Sequence, residues 1–190
     1  MRLFVALWPP VEVLRTLGTA LTGAAGSPGA TAVRWSATAQ LHITLAFLGE
    51  VEPVRQEQVE RRLARVAGRH PPLDLHLAGA GRFGDRVLFV TVGGDREGLK
   101  RLAGSVAAAA RHAGVPIEER GFRAHLTVGR ARGGDARADL RPLVAALDAY
   151  RSAGWTAADL HLVHSRPGAG DGGRAAYSTV ASWPLTRADG

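Results

Sequence analysis

The stretch His42-Ile43-Thr44-Leu45-Ala46-Phe47-Leu48-Gly49 sets the frame for the chain, because a close relative of it, His125-Leu126-Thr127-Val128-Gly129-Arg130, returns 83 residues later. Both runs are rich in aliphatic and β-branched residues and read as strands. Side chains alternate across a strand, so His42 and Thr44 share one face while Ile43 and Leu45 share the other. His125 and Thr127 are separated from Leu126 and Val128 in the same way. Each strand thus buries an aliphatic face and presents an imidazole beside a hydroxyl. A single His-x-Thr on a strand is an ordinary structural occurrence. Its repetition on matched strands carries the information.

Similar elements surround the two copies. Arg2 to Trp8 predicts a strand closed by Pro9-Pro10, and Val11 to about Ala25 a helix with Val11, Leu14, Leu17 and Leu21 at helical spacing. Val33 to Trp35 reads as a short strand, Leu41 to Leu48 as a strong one, and Pro53 to Gly68 as a helix with proline in its first turn. In the second half, Leu73 to Gly81 and Arg86 to Gly93 form strands about a Gly84-Asp85 turn, followed by a helix over Arg96 to Ala113. Ala124 to Arg130 is a strand, Leu140 to Tyr150 a helix, and Asp159 to Ser165 with Ala175 to Trp183 a closing hairpin. The Gly-rich segment Pro167 to Gly173 opens no helix and reads as a surface loop, not a phosphate cradle. No linker divides the halves. A duplicated unit of this kind predicts one continuous body with a cleft between two sheets.

Composition narrows the chemistry. A chain of 190 residues with 46% hydrophobic and 22% charged residues is globular. The absence of cysteine removes thiolate catalysis, disulfides and cysteine-ligated metal sites. The short apolar start lacks the pattern of a signal peptide, and no stretch approaches a membrane span, so a cytoplasmic protein is expected. A net charge of +7 favours an anionic partner such as nucleic acid. Lysine occurs once among the 24 basic residues, at Lys100, and that bias fits base composition of the genome as well as it fits a substrate.

Two facing histidines are suited to moving protons on a phosphodiester. One, neutral, takes a proton from water; the other, as imidazolium, protonates the departing oxygen, and both forms are accessible near a pKa of ~6.5. Thr44 and Thr127 are placed to donate hydrogen bonds to nonbridging phosphate oxygens. A metal site is the chemical rival, built from His42, His125 and His161 or His164. It lacks a His-Glu-x-x-His helix, a paired aspartate motif and any carboxylate next to either motif histidine, so no metal and no cofactor are expected. His161 and His164 are three apart, which puts at most one of them in the cleft.

The paired motifs resemble the two-histidine phosphoesterase superfamily, whose mark is one His-x-Thr-x motif in each of two lobes. The similarity is to its RNA 2',3'-cyclic phosphodiesterase branch, also called the 2'-5' RNA ligase family. Arg2 to Leu7, Val33-Arg34-Trp35, Leu45 to Gly49, Phe122-Arg123-Ala124-His125, Gly129-Arg130 and Tyr177 extend the resemblance over nearly the whole chain. It differs at Ala124, where the branch often has proline.

The resemblance and the element pattern together imply an α+β fold of two pseudo-symmetric lobes within a single bilobal domain, residues 1–190. Each lobe is expected to be an antiparallel sheet with helices on its outer face, and the active-site cleft to lie between the sheets. The resemblance further implies that His42 is the proton donor to the leaving 3' oxygen, that His125 is the acceptor activating water, and that Thr44 and Thr127 hold the phosphate. The substrate it implies is RNA ending in a 2',3'-cyclic phosphate, tRNA halves included, opened to a 2'-phosphate or joined reversibly through a 2'-5' linkage by a monomer.

Further candidates surround the motifs. Arg130 lies five residues past His125, on the opposite face of a regular strand, and reaches the phosphate only if the strand bends. Trp35, Phe83, Phe122 and Tyr177 are candidates to stack on the terminal base, with core packing as the competing reading of each. Arg166 is a candidate backbone contact or a solvated loop arginine. Competing functions are a noncatalytic RNA-end-binding module and a phosphodiesterase for a small cyclic phosphate.

Overall fold

Leu73, Leu75 and Leu77 are fully buried while Asp74 between them is exposed, the alternation of a strand with one face on the core, whereas Leu3 to Leu7 are buried on both faces. The computed structural model describes residues 1–118, 121–132 and 138–186. In chain order the strands are β1 (Arg2–Leu7), β2 (Val33–Trp35), β3 (Ile43–Glu50), β4 (Leu73–Phe83), β5 (Val87–Gly94), β6 (His125–Ala131), β7 (Trp155–Ala157), β8 (Asp159–Arg166) and β9 (Ala176–Pro184). The helices are α1 (Val11–Ala24), α2 (Pro53–Ala67), α3 (Arg96–His112) and α4 (Arg141–Leu147).

The strands run antiparallel in the order β7-β4-β5-β6-β3-β1-β8-β9, with β2 added along β6. Separate sheets were expected for the two halves; they are instead one sheet, joined at its centre by a single residue pair, Ile43 with Leu126. All four helices pack their apolar stripes on one face of the sheet. Val13, Leu17 and Leu21 of α1, Val59 and Leu63 of α2, and Leu99, Leu102 and Val106 of α3 meet Leu3, Val5, Ile43, Val90 and Leu126 there. The opposite face carries a small cluster of Phe4, Ala6 and Val163 with Trp8 and Tyr177 against it.

The element pattern read from sequence matches, with differences at ends. Helix α4 is shorter than the Leu140–Tyr150 expectation, stopping at Leu147, and Tyr150 instead packs toward α1, its hydroxyl 3.2 Å from Thr16 Oγ1. Strand β7 was not foreseen: three residues give too little alternation to register. Helix α3 begins at an aspartate cap, Asp95 accepting from the Gly98 amide.

The duplication extends beyond the motifs. Strand β1 pairs with β3 through Phe4–Phe47, Val5–Ala46, Ala6–Thr44 and Leu7–Ile43; β5 pairs with β6 through Val87–Arg130, Leu88–Gly129, Phe89–Thr127 and Val90–Leu126. Every residue of the second set is its counterpart in the first plus 83. Each ladder also slips by one residue at the same place, after Thr44 and after Thr127. Both strands therefore carry a β-bulge just past the motif.

Candidate active site

The pair Ile43–Leu126 joins equivalent residues of the two halves, so a local two-fold axis passes between them. The neighbours of this pair, His42 and Thr44 on one strand and His125 and Thr127 on the other, lie on the opposite face from Ile43 and Leu126. The two imidazoles are on the sheet face the helices leave open, near enough for the His125 charge to act on His42.

Both imidazoles are held in the same way. His42 Nδ1 is 2.6 Å from the Gln40 carbonyl oxygen, and His125 Nδ1 is 2.7 Å from that of Arg123. A carbonyl only accepts, so Nδ1–H donates in both, and each Nε2 is left to take or give a proton in the cleft.

Their surroundings differ. Phe4 stacks on His42 at 4.7 Å between ring centroids, and Trp8 and Tyr177 meet it edge-on at 5.1 and 5.4 Å. Burial in this box lowers the His42 pKa to about 4, against the hydrogen bond to Gln40, with repulsion from His125 lowering it further. Among the described residues, the rings that meet His125 are Phe83 at 4.9 Å and Phe89 at 5.4 Å. Its pKa is also lowered, by burial first, against the Arg123 hydrogen bond, and then by the Arg130 charge. The Phe89 ring lies directly over Gly81, where a Cβ would come within 2.5 Å of it.

The bulge settles where Arg130 points. Val128 and Gly129 are both buried, which uses two residues on the core side and returns Arg130 to the face of His125 and Thr127. Its charge acts on His125 and on Tyr177 alike. The same bulge in the first half buries Leu45 and Ala46 and turns Phe47 onto the face of His42, where it is 65% exposed and 6.2 Å from Phe4. Sequence alternation missed Phe47 because it assumed a regular strand. The available signal was its position, five residues after His42 as Arg130 is after His125.

Of the other sequence candidates, Tyr177 is in the His42 box. Phe122 packs partly against the helix-side core while lining a groove beside His125. Trp35 pairs with Gly129 and packs against that core, away from the open face. Arg166 is exposed at the end of β8. His161 pairs with Ala6 on the open face, and His164 pairs with Leu3 on the other. Among the described residues no three His, Cys, Asp or Glu side chains gather as a metal site would need. No helix of the described residues is long and apolar enough to cross a membrane.

Comparison with known proteins is consistent with this geometry. A family model described as the 2'-5' RNA ligase superfamily matches residues 4–169. An RNA 2',3'-cyclic phosphodiesterase of Archaeoglobus fulgidus is 35% identical over 136 residues, 70% of this chain and 73% of that protein. One of Geobacillus stearothermophilus is 34% identical over 105 residues; the match takes in 54% of this chain and only 33% of that protein's length. The crystal structure of Escherichia coli LigT in its apo form superposes with a TM-score of 0.74 at 27% identity, covering 98% of each chain.

Proposed function

The chain belongs to the 2'-5' RNA ligase superfamily, and from that premise we propose that it is an RNA 2',3'-cyclic phosphodiesterase acting through His42 and His125. The observation that carries this reading is the paired Nδ1–H anchors, which leave two Nε2 atoms free on one open face.

In the proposed step, His125 Nε2 takes a proton from water as the water oxygen bonds to phosphorus. The P–O3' bond breaks, and His42 Nε2–H delivers its proton to O3'. The product carries a 2'-phosphate and a 3'-hydroxyl. Thr44 and Thr127 donate to the nonbridging oxygens, and Arg130 supplies positive charge as negative charge builds on them. Phe47, exposed beside the aromatic box, is the platform for the terminal base, with Tyr177 at the ribose side. The roles of donor and acceptor follow the family pattern. With a pKa near 4 in the free protein, His42 serves as donor only because the anionic phosphate raises it on binding.

We take the substrate to be RNA ends, tRNA halves among them, bound by a monomer in which residues 1–190 act as one bilobal domain. A 5'-hydroxyl in place of water would run the same in-line chemistry as 2'-5' joining. The test is an oligonucleotide ending in a 2',3'-cyclic phosphate, incubated in excess EDTA. Release of a 2'-phosphate end that is abolished in both His42→Ala and His125→Ala supports the proposal. Full turnover in either variant overturns the paired mechanism, and binding without turnover identifies a noncatalytic RNA-end-binding module.

A further inference from the structure

A groove of about 630 Å³ leads away from His125, within the ~300–1,000 Å³ range of ligand clefts. Phe89 and Thr91 of β5 line its base, and Thr91 is the direct cross-strand partner of His125, so the groove is continuous with the catalytic imidazole. Its rim carries three cations, Arg96 and Lys100 of α3 and Arg123, against one carboxylate, Glu97.

Arg96 and Lys100 are four residues apart on a helix and therefore neighbours on one face. Both are exposed, and neither is ion-paired among the described residues. The Arg123 guanidinium stands 5.9 Å from the Phe83 ring centroid, at the His125 end. Cations left without partners in a cleft focus positive potential along it.

The two imidazoles and two threonines account for a single phosphate. A cyclic mononucleotide has no other, whereas an RNA chain carries one at every preceding linkage. We infer that this groove seats the phosphodiester backbone preceding the cyclic end, and that the enzyme thereby selects RNA ends over cyclic mononucleotides. The inference rests on the cyclic phosphodiesterase reading above. Arg96 and Lys100 touch no reacting atom; they act on the affinity for the chain alone.

The experiment compares a 2',3'-cyclic mononucleotide with a hexanucleotide bearing the same end, on the wild-type chain and on Arg96→Gln/Lys100→Gln. The wild type is expected to show a KM at least about tenfold lower for the hexanucleotide, an advantage of ~1.4 kcal/mol. The double variant loses that advantage, with mononucleotide KM and both kcat values changed less than about twofold. Each phosphate contact to a single strand contributes ~0.7 to the slope of log affinity against log salt, so the hexanucleotide slope falls by ~1.4 in the variant. Equal KM values for the two substrates, or a variant that shifts both together, overturn the groove assignment. If the wild type opens neither substrate, the function reading fails by itself. The groove is then judged by fluorescence anisotropy with a hexanucleotide ending in a 3'-phosphate, and unchanged affinity in the double variant overturns it. Thermal unfolding confirms that both proteins are folded.

Discussion

The two halves place the same two side chains, a histidine and a threonine, in unlike settings. Around His42 the wall is aromatic, with Phe4, Trp8 and Tyr177 against the imidazole and Phe47 exposed beside it. Around His125 the wall is thinner, Arg130 stands where the first half has Phe47, and the rim is cationic. Register, bulge and Nδ1 anchor are shared to the residue. Duplication thus gives two equivalently anchored imidazoles, and under the proposed function divergence at the flanking positions would divide the substrate between the halves. In that proposal the nucleoside goes to the aromatic side and the charged backbone to the basic side.

The strongest challenge to this picture is removal of either imidazole. His42→Ala and His125→Ala are each expected to lower kcat by about 10³-fold or more, toward the upper part of the ~10²–10⁴ range for a positioned acid or base. The double variant should be little worse than either single one, because the pair acts as a unit. Additive losses in single-turnover assays would mean that the two residues work independently.

Thr44→Val and Thr127→Val come next, at about 10²-fold in kcat each, the cost of one donor aimed at developing charge. If the two-fold relation governs the phosphate site, the two losses agree within a few-fold. A loss confined to one of them would show that only one half grips the phosphate.

Much of this site was legible from residues alone, and the limits were physical. His-x-Thr at a repeat of 83 predicts that each histidine shares a face with its threonine, opposite the buried aliphatic residues, because strand alternation holds up to the threonine. It fails one residue later. A bulge inserts an extra residue without leaving a sequence mark, so Arg130 reads as facing away and Phe47 goes unnoticed. Trp35 has the composition of a stacking residue, but its pairing with Gly129 turns it to the core, which only the ladder register shows. The expected division into two sheets depended on one backbone pair, Ile43 with Leu126, and no local pattern encodes that joint.

The pH dependence probes the walls directly. The proposed mechanism needs one protonated and one neutral imidazole. Burial lowers both in the free protein, His42 to about 4, so the free form carrying a proton becomes scarcer as pH rises. On the falling limb kcat/KM should drop about tenfold per pH unit, and that limb should begin below the ordinary histidine value of ~6.5. In the bound complex the phosphate charge raises the donor, so the falling limb of kcat lies at higher pH. A kcat/KM that is flat to pH 8 would contradict the lowered values.

Phe47 and Arg130 offer a smaller and more selective contrast. Phe47→Ala should raise KM for a cyclic mononucleotide about tenfold with kcat changed less, since a stacked base is worth ~1–3 kcal/mol. Arg130→Gln should act mainly on kcat. Reversal of that split in steady-state assays would exchange the roles assigned to the two bulged positions.

The smallest effect concerns the bulges themselves, and it is read in stability. Ala46 and Gly129 are equivalent positions, both buried. The first half accommodates a methyl group there; in the second, β2 lies along the strand and a Cβ at 129 would fall 2.5 Å from Val33 Cγ1. Valine is stiff at χ1 and Val33 is fully buried, so the clash is relieved only by moving β2. Gly129→Ala should therefore cost about 1–3 kcal/mol of unfolding free energy, as overpacking does. Ala46→Gly removes a methyl without a clash and should cost about 0.5–1 kcal/mol. Chemical denaturation of the two variants side by side tests the order. An equal or smaller loss at 129 would show that β2 yields freely, and the asymmetry between the halves would then lie in their surfaces alone.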